Sequence, residues 1–227
     1  WRLVGSLIRL AIELGLHHDP TTQLVPAGEV TQGEAPSEMV PVFTEEECQT
    51  RIRLWGIVLI HDRGTSILLG RPLGISPADT NVPRPTRPPT ATLNDFSDHF
   101  ELSHPIADIQ ADIINSLYKP NKQSAESIMH NATRIVKSMA DFRRGLPERY
   151  KYYFSGSDDW TIEKKLELVQ GITEDEGLTL LKLGIARILL FRALFSSKEL
   201  SYSQRRKALV DGPFHVFVMS SHSLLSS

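Results

Sequence analysis

Two short clusters in this sequence carry residue types that bind metals. His17-His18-Asp19 follows the first apolar run, and His61-Asp62-Arg63 lies inside a second one, "VLIHDRGTSILLGRPLGIS" (58–76). Imidazole and carboxylate together suit several divalent ions, and catalysis would need one open coordination position. A histidine from one helix, an adjacent His-Asp pair from the next and a distant aspartate would suit a helical metal-dependent phosphohydrolase. His17 or His18, then His61 and Asp62, then Asp98, Asp108 or Asp112 supply that order. The signal is only a dipeptide, and a motif without its structural context is weak.

The competing reading is structural. On a helical wheel of about 100° per residue, Asp62 falls with Trp55, Val58, Ser66 and Leu69 on the apolar face. A buried carboxylate must pair with a cation, accept hydrogen bonds or take up a proton. Arg9, Arg71 and Arg192 are the candidate cations, and Asp62 is expected to anchor an internal network with one of them. Arg192 shares an arc with Leu181, Ile185, Ile188 and Phe195, where its stem can pack while its guanidinium reaches water. His17 and His18, at a helix C-terminus, are expected to complement the helix dipole rather than ligate an ion.

Other chemistries find less support. Cys48 reads as a small core residue with no base beside it in sequence. No G-x-S-x-G elbow, P-loop or dinucleotide-binding glycine pattern occurs. Arg205-Arg206-Lys207 is a short run and reads as a solvated helix face. A net charge of −2 gives no basic excess of the kind that marks a nucleic-acid binder in its own right. The single cysteine excludes an internal disulfide and any multi-cysteine zinc module, and suits the cytosol or nucleus.

The elements that must position these residues are helices. With 227 residues, 41% of them hydrophobic, the chain has material for one largish domain or two small ones. Residues 1–16 read as a helix with so broad an apolar arc that burial on several sides is expected, and Pro20 ends it. No signal peptide precedes that helix; the chain begins with Trp1, not Met, inside the pattern, and is read as a fragment. Residues 21–43 lack periodicity and read as a mobile insertion. Thr44-Glu45-Glu46-Glu47 opens a capping-box helix that runs to Leu69, with Gly70 as terminator and Pro72 just beyond. Residues 76–97 form a proline-rich connector. Helical periodicity returns at Ile106 to Leu117, over 124–144, in a short segment around Leu166, from Thr173 to Phe195, and over 203–210. Residues 211–227 are ambiguous between strand and helix. The segment 177–195 is interrupted by Lys182, Arg187 and Arg192, which a membrane span would not readily accept. The chain is expected to be all-α, an irregular multi-helix single domain with long proline-rich connectors.

Two segments carry a resemblance. "WRLVGSLIRLAIELGLHHDP" supplies Trp1, Arg2, Gly5, Arg9, Gly15 and His17. "RIRLWGIVLIHDRGTSILLGRPLGISPADTNVPRP" supplies Trp55, Asp62, Arg63, Gly70, Arg71, Pro72, Asp79 and Pro83. Together they resemble the fungal-specific transcription factor domain, the middle homology region of fungal binuclear zinc cluster regulators, including the xylanolytic-activator type. Farther on the likeness is looser: Arg192 sits in a segment where the family tends to have Leu-x-Arg-Pro-Phe, and Ala193 replaces the proline. Gly56 stands where the family often has a second tryptophan.

The resemblance implies a regulatory region of a nuclear protein controlling transcription by RNA polymerase II, not an enzyme. It implies that DNA is read, and zinc held, by a six-cysteine cluster N-terminal to this domain, usually followed by a dimerising coiled coil; neither lies in this chain. The implied partners are a coactivator, a repressor or a small-molecule effector, with a homodimer of the parent protein also in prospect. The motif residues then read as architecture: Gly70 terminates a helix, Arg71 pairs with a carboxylate, Pro72 fixes the exit, and His61 is incidental. A helical interaction scaffold without regulatory role remains the further alternative.

Overall fold

The computed structural model describes residues 1–27, 39–87, 96–151, 153 and 161–210. The described residues are overwhelmingly helical, so the chain is all-α. Their contacts divide the chain into two compact units, Trp1–Phe96 and Ser97–Ser227.

In the first unit, helix α1 (Arg2–Glu13) ends three residues earlier than the apolar pattern suggests. Gly15 is the cause. At φ +67° it takes the left-handed conformation, and the amides of Gly15 and Leu16 donate back to Ile12 and Ala11 at 2.9 and 3.0 Å, a Schellman closure. Only Ile8 and Ala11 of α1 are fully buried, whereas Leu3, Leu10 and Leu14 are exposed. The expected burial of α1 on several sides is therefore not found. Within its unit the helix packs against one long element, α2 (Glu45–Leu69).

Helix α2 begins and ends where its sequence signals place it. The Thr44 hydroxyl accepts from the Glu47 amide at 3.3 Å, and the Glu47 carboxylate accepts from the Thr44 amide at 2.8 Å. Gly70, at φ +61°, stops the helix. Ile8, Ala11 and Leu16 meet Trp55, Val58 and Ile75 in one apolar cluster, which locks the chain after α2 back onto α1.

The described residues of the stretch 21–43 are more regular than its composition suggests. Short strands β1 (Leu24–Pro26) and β2 (Met39–Pro41) pair antiparallel, Val25 opposite Val40. Three-residue strands with a proline at one end give no alternation signal, and each proline is tolerated at an edge. Residues 28–38 lie outside the described residues. The connector after α2 contains a 3-10 turn, Pro77–Asp79, in which the Ala78 amide donates to the Ser76 hydroxyl and the Asp79 amide to the Ser76 carbonyl.

The second unit contains α3 (Asp98–Leu117), α4 (Ala125–Gly145), α5 (Glu148–Lys151), α6 (Ile162–Gly171), α7 (Glu174–Ser196) and α8 (Tyr202–Val210). Helix α3 packs on α7 and α4. Ile106, Leu146, Tyr150 and Leu183 form its core, with Leu102, Phe142 and Leu180 against them. Helix α3 starts two turns before its apolar period. Ser97 caps it by accepting from the Phe100 amide at 3.1 Å, and Pro105 is accommodated inside it.

Helix α7 is capped by Thr173 and Glu176 as expected, and the arc that carries Arg192 is not the one it buries. Thr179, Leu183, Ala186, Leu190 and Leu194 face the core, while Leu181 is 60%, Ile188 66% and Phe195 48% exposed. Both faces are apolar, so periodicity does not distinguish them; the packing of α3 does. Arg192 lies on the exposed side. The expected tail, 211–227, lies outside the described residues.

Candidate functional site

Asp62 is 1% and Arg63 3% exposed, on the face of α2 that meets the returning chain. One oxygen of Asp62 accepts from the Gly74 amide at 2.8 Å. The other accepts from the Ile75 amide at 3.2 Å and from Arg63 Nη1 at 2.9 Å. Three donors, one of them charged, compensate the carboxylate for its lost water. The partner is thus the next residue in the chain. Arg9, Arg71 and Arg192 do not pair with Asp62: Arg9 donates to Ser6 Oγ at 3.3 Å, and the Arg71 guanidinium lies 5.8 Å from the Trp1 ring centre. Arg71 makes no ion pair among the described residues, which corrects its expected role.

The turn that follows is sewn to α2 by the same logic. The Ser66 hydroxyl donates to the Pro72 carbonyl at 3.1 Å, and the Arg71 amide donates to the Ser66 carbonyl at 2.9 Å. The backbone at Gly74 approaches closely, so that a Cβ there would sit 2.6 Å from Ile8 Cδ1 and 3.1 Å from Asp62 Oδ1 and Ile8 would have to shift. The motif residues Gly70, Pro72 and Asp62 therefore build one device, a helix exit pinned by a buried carboxylate. Among the described residues, Arg2 and Gly5 make only backbone bonds within α1, to Ser6 and Trp1.

The metal arrangement is not assembled. His61 is exposed, while its neighbour Asp62 is buried and fully engaged. In the second unit Asp98 pairs with Arg149, and Asp112 is gripped by both terminal nitrogens of Arg134 and by Ser116 at 2.7 Å; Asp108 is exposed. Among the described residues no group of three His, Cys, Asp or Glu side chains is placed to hold an ion. Burial, with nearby carboxylates, raises the Cys48 thiol, so it is a poor nucleophile.

His17 does something else. Its backbone carbonyl accepts from the Thr80 hydroxyl at 3.2 Å, and the Asp19 amide donates to Asn81 Oδ1 at 2.8 Å, so the end of α1 is fastened to the segment after the 3-10 turn. The side chain that reaches the α1 C-terminus is Arg51, unforeseen in sequence, which donates to the Leu14 carbonyl at 2.7 Å. Burial lowers the His17 imidazole first and the neighbouring His18 lowers it further, against the pull of Asp79; His17 is thus not the positive cap expected. His17 stacks 3.8 Å from His18, and its ring centre is 6.2 Å from that of Trp55. These side chains, with Ile75, Ala78 and Asp79, line an open recess of about 490 Å³.

A second polar cluster, also missed in sequence, lies between α3 and α7. Lys182 Nζ donates to Ser103 Oγ at 2.8 Å, and His99 Nδ1 lies 3.0 Å from Thr179 Oγ1. Burial pushes Lys182 down to about 8. Ser103 is 1% exposed, which makes this an interior network rather than a nucleophile open to substrate.

The chain is therefore α-helical, and its motif residues Asp62, Gly70 and Pro72 build a pinned helix exit. Residues 1–206 match the model of the fungal specific transcription factor domain, and the chain belongs to that family. It is also similar to two proteins of Schizosaccharomyces pombe, each described as an uncharacterized transcriptional regulatory protein. One is 32% identical over 83 residues, 37% of this chain and 12% of the relative. The other is 35% identical over 86 residues, 38% of this chain and 9% of the relative. The matches thus span only a small part of those relatives' length. No solved structure matches. No helix among the described residues is long and apolar enough to cross a membrane.

Proposed function

We propose that this chain is the regulatory region of a fungal transcription regulator that acts in the nucleus. It modulates the output of a DNA-bound protein without reading DNA or catalysing a reaction itself. The observation that carries this reading is the family match across residues 1–206. The architecture supports it: the motif residues shape a helix exit and a recess, and the net charge of −2 offers no attraction for phosphates. DNA reading and zinc binding belong to a cysteine cluster elsewhere in the parent protein. Regulation requires two states with different affinity for an effector or partner. A coactivator, a repressor or a small molecule can supply that difference, and a homodimer of the parent is compatible with it.

The test is to tether the chain to an unrelated DNA-binding domain and to read transcription from a reporter with basal activity. Output should rise or fall relative to the DNA-binding domain alone at equal protein level. An unchanged output, or sequence-specific DNA binding by the isolated chain, would overturn the reading.

A further inference from the structure

Helix α7 carries a second apolar stripe on the side away from its buried face. Leu178, Leu181, Ile185 and Ile188 follow one another at alternating intervals of three and four residues, the spacing of a coiled-coil seam. Leu178 is 41%, Leu181 60% and Ile188 66% exposed. The same alternation extends one step each way, to Glu174 before the apolar residues and to Arg192 after them, both exposed. Neither makes an ion pair among the described residues. Each charge suits its own end of the helix dipole, but that preference does not require a place in the apolar stripe. Gly184 adds a separate observation. It lies inside the helix beside the stripe, where glycine weakens a helix relative to alanine, yet a Cβ there would meet nothing within 4 Å. No described neighbour explains the missing side chain.

We propose that α7 pairs antiparallel with α7 of a second copy of this chain, about a two-fold axis at mid-helix. Reversed, the stripe is complementary to itself. In one register Glu174 meets Arg192 of the other copy at both ends, Leu178 meets Ile188, and Leu181 meets Ile185. Four apolar layers are then flanked by two ion pairs. Gly184 of each copy comes opposite the other near the axis, where the absent side chains let the backbones approach. Lys182, on the other flank, donates to Ser103 Oγ at 2.8 Å and is thereby held toward α3. A parallel pair in register would set Glu174 against Glu174 and Arg192 against Arg192. An unlike helix would have to supply the reversed charge order that this helix already has. One helix pair covers less than the roughly 1,200 Å² of a stable interface, so the expected Kd is about 100 μM. The stripe therefore stays open in a dilute denaturation series. In a parent protein whose copies are already held together, an effective concentration of about 1 mM suffices for the pair to form. Paired and unpaired α7 then supply the two states that regulation needs. That purpose rests on the function proposed above; the pairing itself does not.

The experiment is sedimentation equilibrium of the full chain from about 10 to 500 μM, over which it should pass from the mass of one copy toward that of two. Glu174→Arg and Arg192→Glu, both at exposed positions, should each weaken self-association about tenfold or more. Mixed one to one, these two variants should form a heterodimer as tight as the unaltered pair, because every arginine then meets a glutamate. The double variant Glu174→Arg/Arg192→Glu should associate like the unaltered chain. Gly184→Leu should abolish pairing without lowering the melting temperature of the dilute chain. A chain still monomeric at about 500 μM leaves the stripe to an unlike partner and overturns the proposal. So does a dimer that the charge reversals or Gly184→Leu leave intact, or a mixture that associates no more tightly than the single variants. An unchanged reporter output alongside the expected charge-reversal results removes the regulatory reading and leaves the pairing standing.

Discussion

Asp62 shows how much a single side chain settles. Its two backbone donors, Gly74 and Ile75, hold the chain after α2 in place, and Arg63 has Asp62 as a buried counter-charge. Asp62→Ala removes the buried counter-charge beside Arg63 and the acceptor of two amides, and is expected to cost about 3–5 kcal/mol, read as a lowered urea midpoint. Gly74→Ala should cost roughly 1–3 kcal/mol in the same assay, because Ile8 must retreat from the new methyl. The buried carboxylate was legible from its place on the helical wheel. Its partners were not: two are backbone amides that no side-chain pattern encodes, and the third is the adjacent residue, which wheel geometry points elsewhere. Lys182 has a separate consequence. Its ordinary value of 10.5 is lowered to about 8 in the folded chain. Across that window the unfolded chain keeps a proton that the folded chain has released, so stability rises from pH about 8 toward 10.5. Denaturation series at several pH values should show this slope, and Lys182→Met should flatten it. His17 and His99, both lowered mainly by burial, act with the same sign below 6.5, where stability falls as pH falls.

At the scale of elements, boundaries that depend on local chemistry were readable. Thr44 with Glu47 and Thr173 with Glu176 form their capping boxes, and Gly70 ends α2. Boundaries and faces that depend on tertiary packing were not. Helix α3 begins at Asp98 because Ser97 caps a polar first turn, a start hidden behind Pro105. Helix α7 carries apolar residues all round, and α3 selects the face with Leu183 over the one with Leu181. The contrast is measurable. Leu183→Ala should cost about 2–5 kcal/mol as a core truncation, whereas Leu181→Ala should stay within about 1 kcal/mol. Equal costs would mean that the exposed face is covered in solution.

At the scale of the molecule, the all-helical class and the family followed from pattern and motif, since both depend on many residues at once. Length and composition were compatible with one domain or two, and the division into two units is a property of how contacts are distributed rather than of any segment. The short β1–β2 pair was invisible, each strand being too brief for alternation. The motif residues other than Arg192 lie in the first unit, Trp1–Phe96, where the buried carboxylate and the apolar cluster fasten the chain after α2. The central claim is that this region regulates and does not read DNA. The most direct measurement deletes residues 1–206 from the parent protein while keeping its DNA-binding part, then compares promoter occupancy and transcript level at matched expression. Retained occupancy with a changed transcript level is the predicted result. An unchanged transcript level at equal occupancy, or loss of occupancy on deletion, would contradict it.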